Sequence, residues 1–201
     1  VTFRARIITC QKRLFTKEKS DIVFPSEINS FWIDNRQDPL LDKPRLLYVG
    51  RIKVEKGIFS LLKIFDQIKI DSELSIVGRA EDANSNNKRV SFVGPVYDSA
   101  SLIKIYDNHN IFILPSFTEA HPKVIDESLA RIRPVIIFDE IKHIIQNRKG
   151  IFVSKRNAKS LLETIDFIMK NYQNIQESML ENKLPTKQEF ISQMSNILQS
   201  N

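Results

Sequence analysis

Residues 46–57 have the sequence LLYVGRIKVEKG, a short apolar run that ends at Gly50 and continues into a basic loop. After this loop, apolar residues recur at the spacing of one helix face: Ile58, Leu61, Leu62, Phe65 and Ile68. A buried strand, a loop and an amphipathic helix therefore follow one another. This order is typical of the βα units that build parallel sheets.

The same alternation continues along the chain. Further strands are predicted at residues 74–78, 90–94, 111–114, 134–138 and 151–153. Helices are predicted at about 102–108, 122–130, 157–168, 172–182 and 186–199. We therefore predict an α/β fold, a Rossmann-like parallel sheet with helices on both faces. Ligands of such sheets bind beyond the carboxyl ends of the strands, so the residues that follow each strand are the functional candidates.

Composition narrows the class of protein. The 201 residues are 42% hydrophobic and 27% charged, which is typical of a globular chain and not of a disordered one. The single cysteine, Cys10, excludes an internal disulfide framework and is expected to be buried in its apolar surroundings. The net charge of +6 favours contact with phosphates or anionic lipid. The basic residues are scattered among acidic ones and not interleaved with aromatics, so no nucleic-acid partner is expected.

The first candidate site follows the strand that ends at Val49. Arg51 and Lys56 flank the start of the next predicted helix. Free N–H groups and the helix dipole favour an anion at that position, and the two cations suit a diphosphate. A basic surface loop in a basic protein has the same sequence features, so this pattern alone leaves both interpretations open.

The second candidate site follows the strand that ends at Leu114. Glu119 and Glu127 lie eight positions apart, the first in a loop and the second in a helix. Glu127 has apolar neighbours at Val124 and Leu129, so partial burial is expected, and a buried carboxylate needs partners. The two hydroxyls of a sugar diol would supply them. The alternative is an acidic first turn that simply complements the helix dipole.

Several short motifs in this order resemble one enzyme family. They are Tyr48-Val49-Gly50-Arg51 with Lys56-Gly57, Ile76-Val77-Gly78, Val93-Gly94, Pro115-Ser116, the E-x7-E pair Glu119 and Glu127, and Pro134-Val135-Ile136. Together they resemble the C-terminal domain of retaining glycosyltransferases of the GT-B fold, the group called family 4. The resemblance covers roughly residues 22–153.

The resemblance implies specific roles. Five residues would bind the donor: Arg51, Lys56, Lys123, Val124 and Glu127. The two cations and the two main-chain amides would contact the diphosphate, and Glu127 the ribose hydroxyls. Glu119 would be the catalytic residue that contacts the transferred sugar. No Asp-x-Asp motif is present, so neither a metal nor any cofactor besides the nucleotide-sugar donor is expected.

The resemblance also implies a division of the chain. Residues 1–20, with a predicted strand at 6–10, would be a remnant of the N-terminal acceptor domain, and 21–44 an extended interdomain connector. Residues 45–185 would form the donor-binding domain and 186–201 a C-terminal helix. The sequence, which begins without Met, looks like part of a longer product.

Two departures from the family pattern stand out. The family usually has glycine two residues before the Pro-Val strand, where this chain has Ile132. A glycine-rich turn commonly follows that strand, where this chain has residues 139–143. Of the nearby histidines, His121 is expected to pack and His143 to lie on the surface.

The implied function is transfer of a sugar, with retention, from a nucleotide sugar to a glycan or lipid-linked acceptor in polysaccharide biosynthesis. The donor and the free thiol favour the cytoplasm, and the basic charge allows peripheral contact with the inner face of the membrane. Two alternatives remain: a non-catalytic nucleotide-binding module and a nucleotide-sugar epimerase on the same fold.

Overall fold

The computed structural model describes residues 7–9, 20–22, 28–79 and 84–199. Its strands are β1 Ile7–Thr9, β2 Ser20–Ile22, β3 Arg45–Val49, β4 Glu73–Val77, β5 Val90–Gly94, β6 Ile111–Leu114, β7 Val135–Phe138 and β8 Ile151–Ser154. Its α-helices are α1 Ile58–Gln67, α2 Ser99–Asp107, α3 Lys123–Ala130, α4 Ala158–Lys170, α5 Tyr172–Met179 and α6 Lys187–Gln199. Within the described ranges, 3-10 segments lie at Ser30–Trp32, Val54–Lys56 and Asp139–Ile144.

Strands β3 to β8 form one parallel sheet of six strands in the order β5-β4-β3-β6-β7-β8. The order reverses between β3 and β6, so the loops after these two strands leave the sheet in opposite directions. Such a reversal opens a crevice at the carboxyl ends of the strands. The predicted Rossmann-like α/β class is confirmed, and both candidate sites lie at this crevice.

Helices cover the sheet on both faces. Every residue of β6 and β7 is buried, which requires packing above and below these strands. Helix α3 packs on β6 and β7, and α1 packs against α4. The strands and helices predicted beyond residue 44 are all present, and the Asn157 side chain caps α4 by accepting from the Ser160 amide. Among the described residues, no helix is long and apolar enough to cross a membrane.

The start of the chain is described only in part. β1 overlaps the strand predicted at 6–10 and pairs in parallel with β2. Cys10, which was expected to be buried, lies outside the described residues. The connector predicted at 21–44 is not extended throughout, because a 3-10 turn at Ser30–Trp32 places Trp32 in the core at 3% exposure.

Two buried arginines fasten this connector to the sheet domain. Arg131 and Arg133 are at most 1% exposed, although arginine is normally a surface residue. Arg131 donates to the Trp32 carbonyl at 3.0 Å, and Arg133 donates to the Gln37 carbonyl at 2.6 Å. Asp107, at the end of α2, accepts from Arg131 at 2.8 Å and lies 3.5 Å from Arg133. Removing one partner of a buried pair typically costs about 3–5 kcal/mol, so Asp107 is central to this contact.

Between these arginines the chain makes a left-handed turn. Ile132 has φ of 53°, a conformation that glycine adopts freely and that a β-branched side chain rarely adopts. This left-handed conformation explains why the family usually has glycine at this position. Here an isoleucine occupies the position and still adopts the left-handed conformation. The half-buried side chain packs against the core, which offsets part of the strain.

Replacing Ile132 tests this strain. We expect Ile132→Gly to be more stable than Ile132→Ala by about 1 kcal/mol, because the left-handed backbone penalises any Cβ. Exposed Lys63 in α1 is the matched control, since there glycine should be about 1 kcal/mol less stable than alanine. Urea unfolding of the four variants gives both differences. An alanine variant at 132 as stable as the glycine variant would contradict the assignment of strain.

Candidate functional site

The loops that follow β3 and β6 are in direct contact at the crevice. Gly57 has φ of 69°, and a Cβ at this position would lie 1.9 Å from the Pro115 carbonyl oxygen. The Phe117 amide donates to the Glu55 carbonyl at 3.0 Å. Only glycine permits both the conformation and the approach, so the two loops are fixed to each other by main-chain contacts.

An ion pair joins the same two loops. Lys56 Nζ lies 2.6 Å from Glu119 Oε1, and the Ser116 hydroxyl donates to that oxygen at 2.7 Å. The two charged side chains are 20% and 10% exposed. Nε2 of His143 donates to the Glu119 carbonyl at 2.9 Å. His143 is thus half-buried against the site, and the expectation that it lies on the surface was wrong, because residues 139–144 form a 3-10 turn that directs it inward.

Two helices begin at this edge with free N–H groups. No described residue accepts from the amides of Ile58 and Phe59 in α1 or of Lys123 and Val124 in α3, and neither helix has a side-chain N-cap. Pro122, which precedes α3, has no N–H of its own. Such helix starts attract anions through their N–H groups and dipoles. The two amides named from the sequence are therefore available to a ligand.

Glu127 is a buried carboxylate in α3. Its side chain is 9% exposed, accepts from the Tyr106 hydroxyl at 3.3 Å and lies 3.8 Å from Lys123 Nζ. Burial raises the pKa of Glu127 above its ordinary range, and Lys123 and Tyr106 oppose this shift. A buried carboxylate with so few partners costs stability when ionised, which makes Glu127 a candidate for ligand binding.

A second buried carboxylate supports α3. Asp126 is fully buried, lies 2.8 Å from Nε2 of His121 and accepts from Arg148 at 2.8 Å. His121 is 2% exposed in its side chain, which confirms the expectation that it packs. Asp126 therefore does more than complement the helix dipole, since it ties the loop before α3 to the residues after the 139–144 turn.

A cavity of about 820 Å³ lies beyond the carboxyl ends of β3, β4 and β5. Arg51, which is exposed, forms part of its wall together with Phe59, Arg79, Val96 and Tyr97. Of these residues only Arg51 was predicted from the sequence. Arg79, Val96 and Tyr97 could also have been predicted, because they follow the predicted strands β4 and β5, whereas Phe59 lies in α1.

The structure thus groups the predicted residues in three places along one edge of the sheet. Lys56 pairs with Glu119, Lys123 lies near Glu127, and Arg51 lines the cavity. Within the described ranges, no group of three or more His, Cys, Asp or Glu side chains could hold a metal ion.

Comparison with known proteins relates this arrangement to one family. The family model described as glycosyl transferases group 1 matches residues 43–171, which include both loops and α3. The chain is 28% identical over 151 residues to the capsular polysaccharide biosynthesis glycosyltransferase CapM of Staphylococcus aureus, covering 67% of this chain and 39% of that protein. It is 23% identical over 164 residues to the N,N'-diacetylbacillosaminyl-diphospho-undecaprenol alpha-1,3-N-acetylgalactosaminyltransferase of Campylobacter jejuni, covering 75% and 43%. The chain spans less than half the length of the curated relatives it matches.

Solved structures share the fold. The sucrose-phosphate synthase of Thermosynechococcus elongatus superposes with a TM-score of 0.69 at 22% identity, covering 92% of this chain and 54% of that one. Anabaena HepE, in a complex with UDP and glucose, superposes with a TM-score of 0.71 at 12% identity, covering 90% and 57%. At these identities the likeness concerns the fold alone.

The raised pKa of Glu127 predicts how stability depends on pH. A group whose folded pKa is raised binds more protons in the folded state, so stability falls as pH rises from about 4.3 through the folded value. Glu127→Gln removes this dependence. The free energy of unfolding of the variant, relative to that of the wild type, should therefore rise between pH 4 and pH 7. Urea unfolding at both pH values measures the gain, with exposed Glu163→Gln as the control. If instead the wild type became more stable relative to Glu127→Gln as pH rises, the raised pKa of Glu127 would be contradicted.

Proposed function

The chain belongs to the glycosyl transferases group 1 family, and on this premise we propose that it is the C-terminal, donor-binding part of a retaining GT-B glycosyltransferase of family 4. The enzyme transfers a hexosyl residue from a nucleotide sugar to a glycan or lipid-linked acceptor. One observation carries the proposal. The Lys56–Glu119 pair lies where the strand order reverses, between two helix N-termini with free N–H groups.

The positive groups at this edge would hold the donor diphosphate. Lys56 supplies a mobile charge on the β3 loop, and Arg51 on the same loop supplies a fork of donors. The amides of Lys123 and Val124 add hydrogen bonds from α3. Arg51 and Lys56 follow β3 and the two amides follow β6, the strands between which the order reverses, so together these groups would suit an anion with several oxygen atoms.

The nucleoside would lie beside the diphosphate. The cavity that Arg51 borders has a volume within the usual range for small-ligand sites, and Phe59 and Tyr97 offer aromatic faces to a base. Glu127 would accept from the ribose hydroxyls, since its carboxylate is short of donors and a diol supplies two. A bound donor would thereby relieve the cost of burying this charge.

Glu119 would contact the transferred sugar. Its carboxylate accepts from Lys56 and Ser116. Glu119 would also accept from a sugar hydroxyl while Lys56 donates to a phosphate oxygen, so both parts of the donor would contact the same ion pair. As the bond between the anomeric carbon and the phosphate breaks, negative charge grows on the leaving diphosphate. Lys56, Arg51 and the helix N-termini would stabilise that charge, which is the main source of catalysis in such sites.

The acceptor would bind outside the donor domain, which we place at residues 45–185. Residues 1–20 would then belong to the acceptor domain, with 21–44 as the connector and 186–201 as a C-terminal helix. The relatives' names include a capsular polysaccharide enzyme and one that acts on a diphospho-undecaprenol acceptor. We therefore assign the enzyme to polysaccharide biosynthesis in the cytoplasm, with basic residues in peripheral contact with the membrane.

The diphosphate assignment predicts a selective loss on substitution. Lys56→Ala should weaken binding of a nucleoside diphosphate by about 1.5–3 kcal/mol, the worth of a hydrogen bond to a charged group, and binding of the monophosphate by much less. Lys63→Ala, at an exposed lysine in the following helix α1, is the control for net charge. Titration calorimetry with UDP and UMP, or GDP and GMP, gives the four values. Equal losses for the two ligands would place Lys56 away from the diphosphate.

The same cations predict catalysis without a divalent metal. Lys56, Arg51 and two helix N-termini supply the positive charge that a metal supplies to diphosphates elsewhere. Transfer of labelled sugar by the intact enzyme should therefore persist in EDTA. Loss of activity with chelator, restored by added magnesium or manganese, would refute this.

A further inference from the structure

Arg156 lies in the loop between β8 and α4, at the edge of the sheet, and its side chain reaches back to the crevice. Its guanidinium stacks between two rings, 4.1 Å from the centroid of Phe117 and 4.4 Å from that of Phe138. Nε and Nη2 donate to the two carboxylate oxygens of Glu140 at 2.7 and 3.1 Å. With 15% of its side chain exposed, Arg156 is held on three sides.

The fourth side of the guanidinium faces the start of α1. Nη1 is buried and donates to no described residue. It would lie 3.1 Å from a Cβ at Gly57. One N–H-bearing nitrogen of the guanidinium is thus buried close to the Gly57 turn without a partner among the described residues. A buried donor left without a protein partner calls for a reason other than stability.

The reason lies in what Arg156 touches. Phe117 is two residues from Glu119, and Nη2 of Arg156 is also 3.4 Å from the Ser116 carbonyl, next to the hydroxyl that orients Glu119. From the opposite side, the Glu55 carbonyl holds the Phe117 amide. The 115–119 loop is therefore fixed between β3's loop and Arg156.

We propose that Arg156 is a positioning residue that sets the 115–119 loop and thereby aims the carboxylate of Glu119 at the sugar of the donor. This proposal rests on the proposed function. It adds Arg156, from the edge of the sheet, to the residues that determine how the sugar of the donor is bound. Arg156 does not line the cavity whose wall includes Arg51. Its loss should therefore affect recognition of the sugar and leave binding of the nucleoside diphosphate intact.

The test compares Arg156→Ala and Arg156→Lys with Lys155→Ala, a neighbouring exposed residue that controls for charge. Calorimetry measures the affinity for the nucleotide sugar that binds best in a panel of UDP- and GDP-sugars, and for its nucleoside diphosphate. The ratio of the two affinities should fall about tenfold in both Arg156 variants, since lysine neither stacks as a plane nor pairs bidentately with Glu140. Lys155→Ala should keep the wild-type ratio. Equal weakening of both ligands, or an unchanged ratio in Arg156→Ala, would overturn the proposal.

Amide hydrogen exchange provides a readout that needs no ligand. In Arg156→Ala the Phe117 amide should exchange at least about tenfold faster, while the Phe112 amide in the core strand β6 should keep its protection. Unchanged Phe117 exchange would overturn the proposal, as would equal acceleration at Phe112, which would indicate a general loss of stability. If no nucleotide binds the wild-type chain, the proposed function fails, and the exchange at Phe117 still decides whether Arg156 positions the loop.

Discussion

The contact between the loops after β3 and β6 is the constraint on which the candidate site depends. Because the strand order reverses there, two loops that start on neighbouring strands run to opposite sides and leave a crevice between them. Gly57 closes that crevice at its base by letting Pro115 approach, and the Phe117–Glu55 hydrogen bond holds it closed. A side chain at residue 57 would separate Lys56 from Glu119.

The carboxylates around this contact are paired to different degrees. Glu119 and Glu127 are carboxylates with little exposure, and each has a lysine near it, at 2.6 and 3.8 Å. Asp126, by contrast, is fully paired with His121 and Arg148 and serves to support the helix. A nucleotide sugar would bring phosphate charge to the lysines and hydroxyl donors to the glutamates, so the site becomes better compensated when occupied.

Much of the fold could be predicted from the sequence because it rests on local patterns. The strands β3 to β8 are short apolar runs that end at glycine or at a polar turn, and α1 and α4 have regular apolar stripes. Arg131 and Arg133 could not be predicted as a core contact, because their partners are main-chain carbonyls about a hundred residues earlier in the chain. The neighbouring sequence does not distinguish such a buried arginine from one on the surface.

The candidate site likewise contains residues that could be predicted from the local sequence and residues that could not. Lys56, Glu119 and Glu127 could be named as candidates because strand ends mark the ligand edge of a parallel sheet and because their spacing resembles a family motif. His143 and Arg156 were missed since each reaches the site from a different strand, through a turn whose direction depends on packing. The role of Ile132 became clear only from its positive φ, although the missing glycine had marked the position.

If a nucleoside diphosphate binds at the N-termini of α1 and α3, titrating the chain with UDP or GDP will perturb the amide chemical shifts at these two helix starts. We expect the largest shifts at the amides of Ile58, Lys123 and Val124, with further shifts in the cavity at Tyr97. Shifts centred on the groove lined by Asp38, Lys104 and Asp107, or no shifts at millimolar ligand, would contradict this expectation.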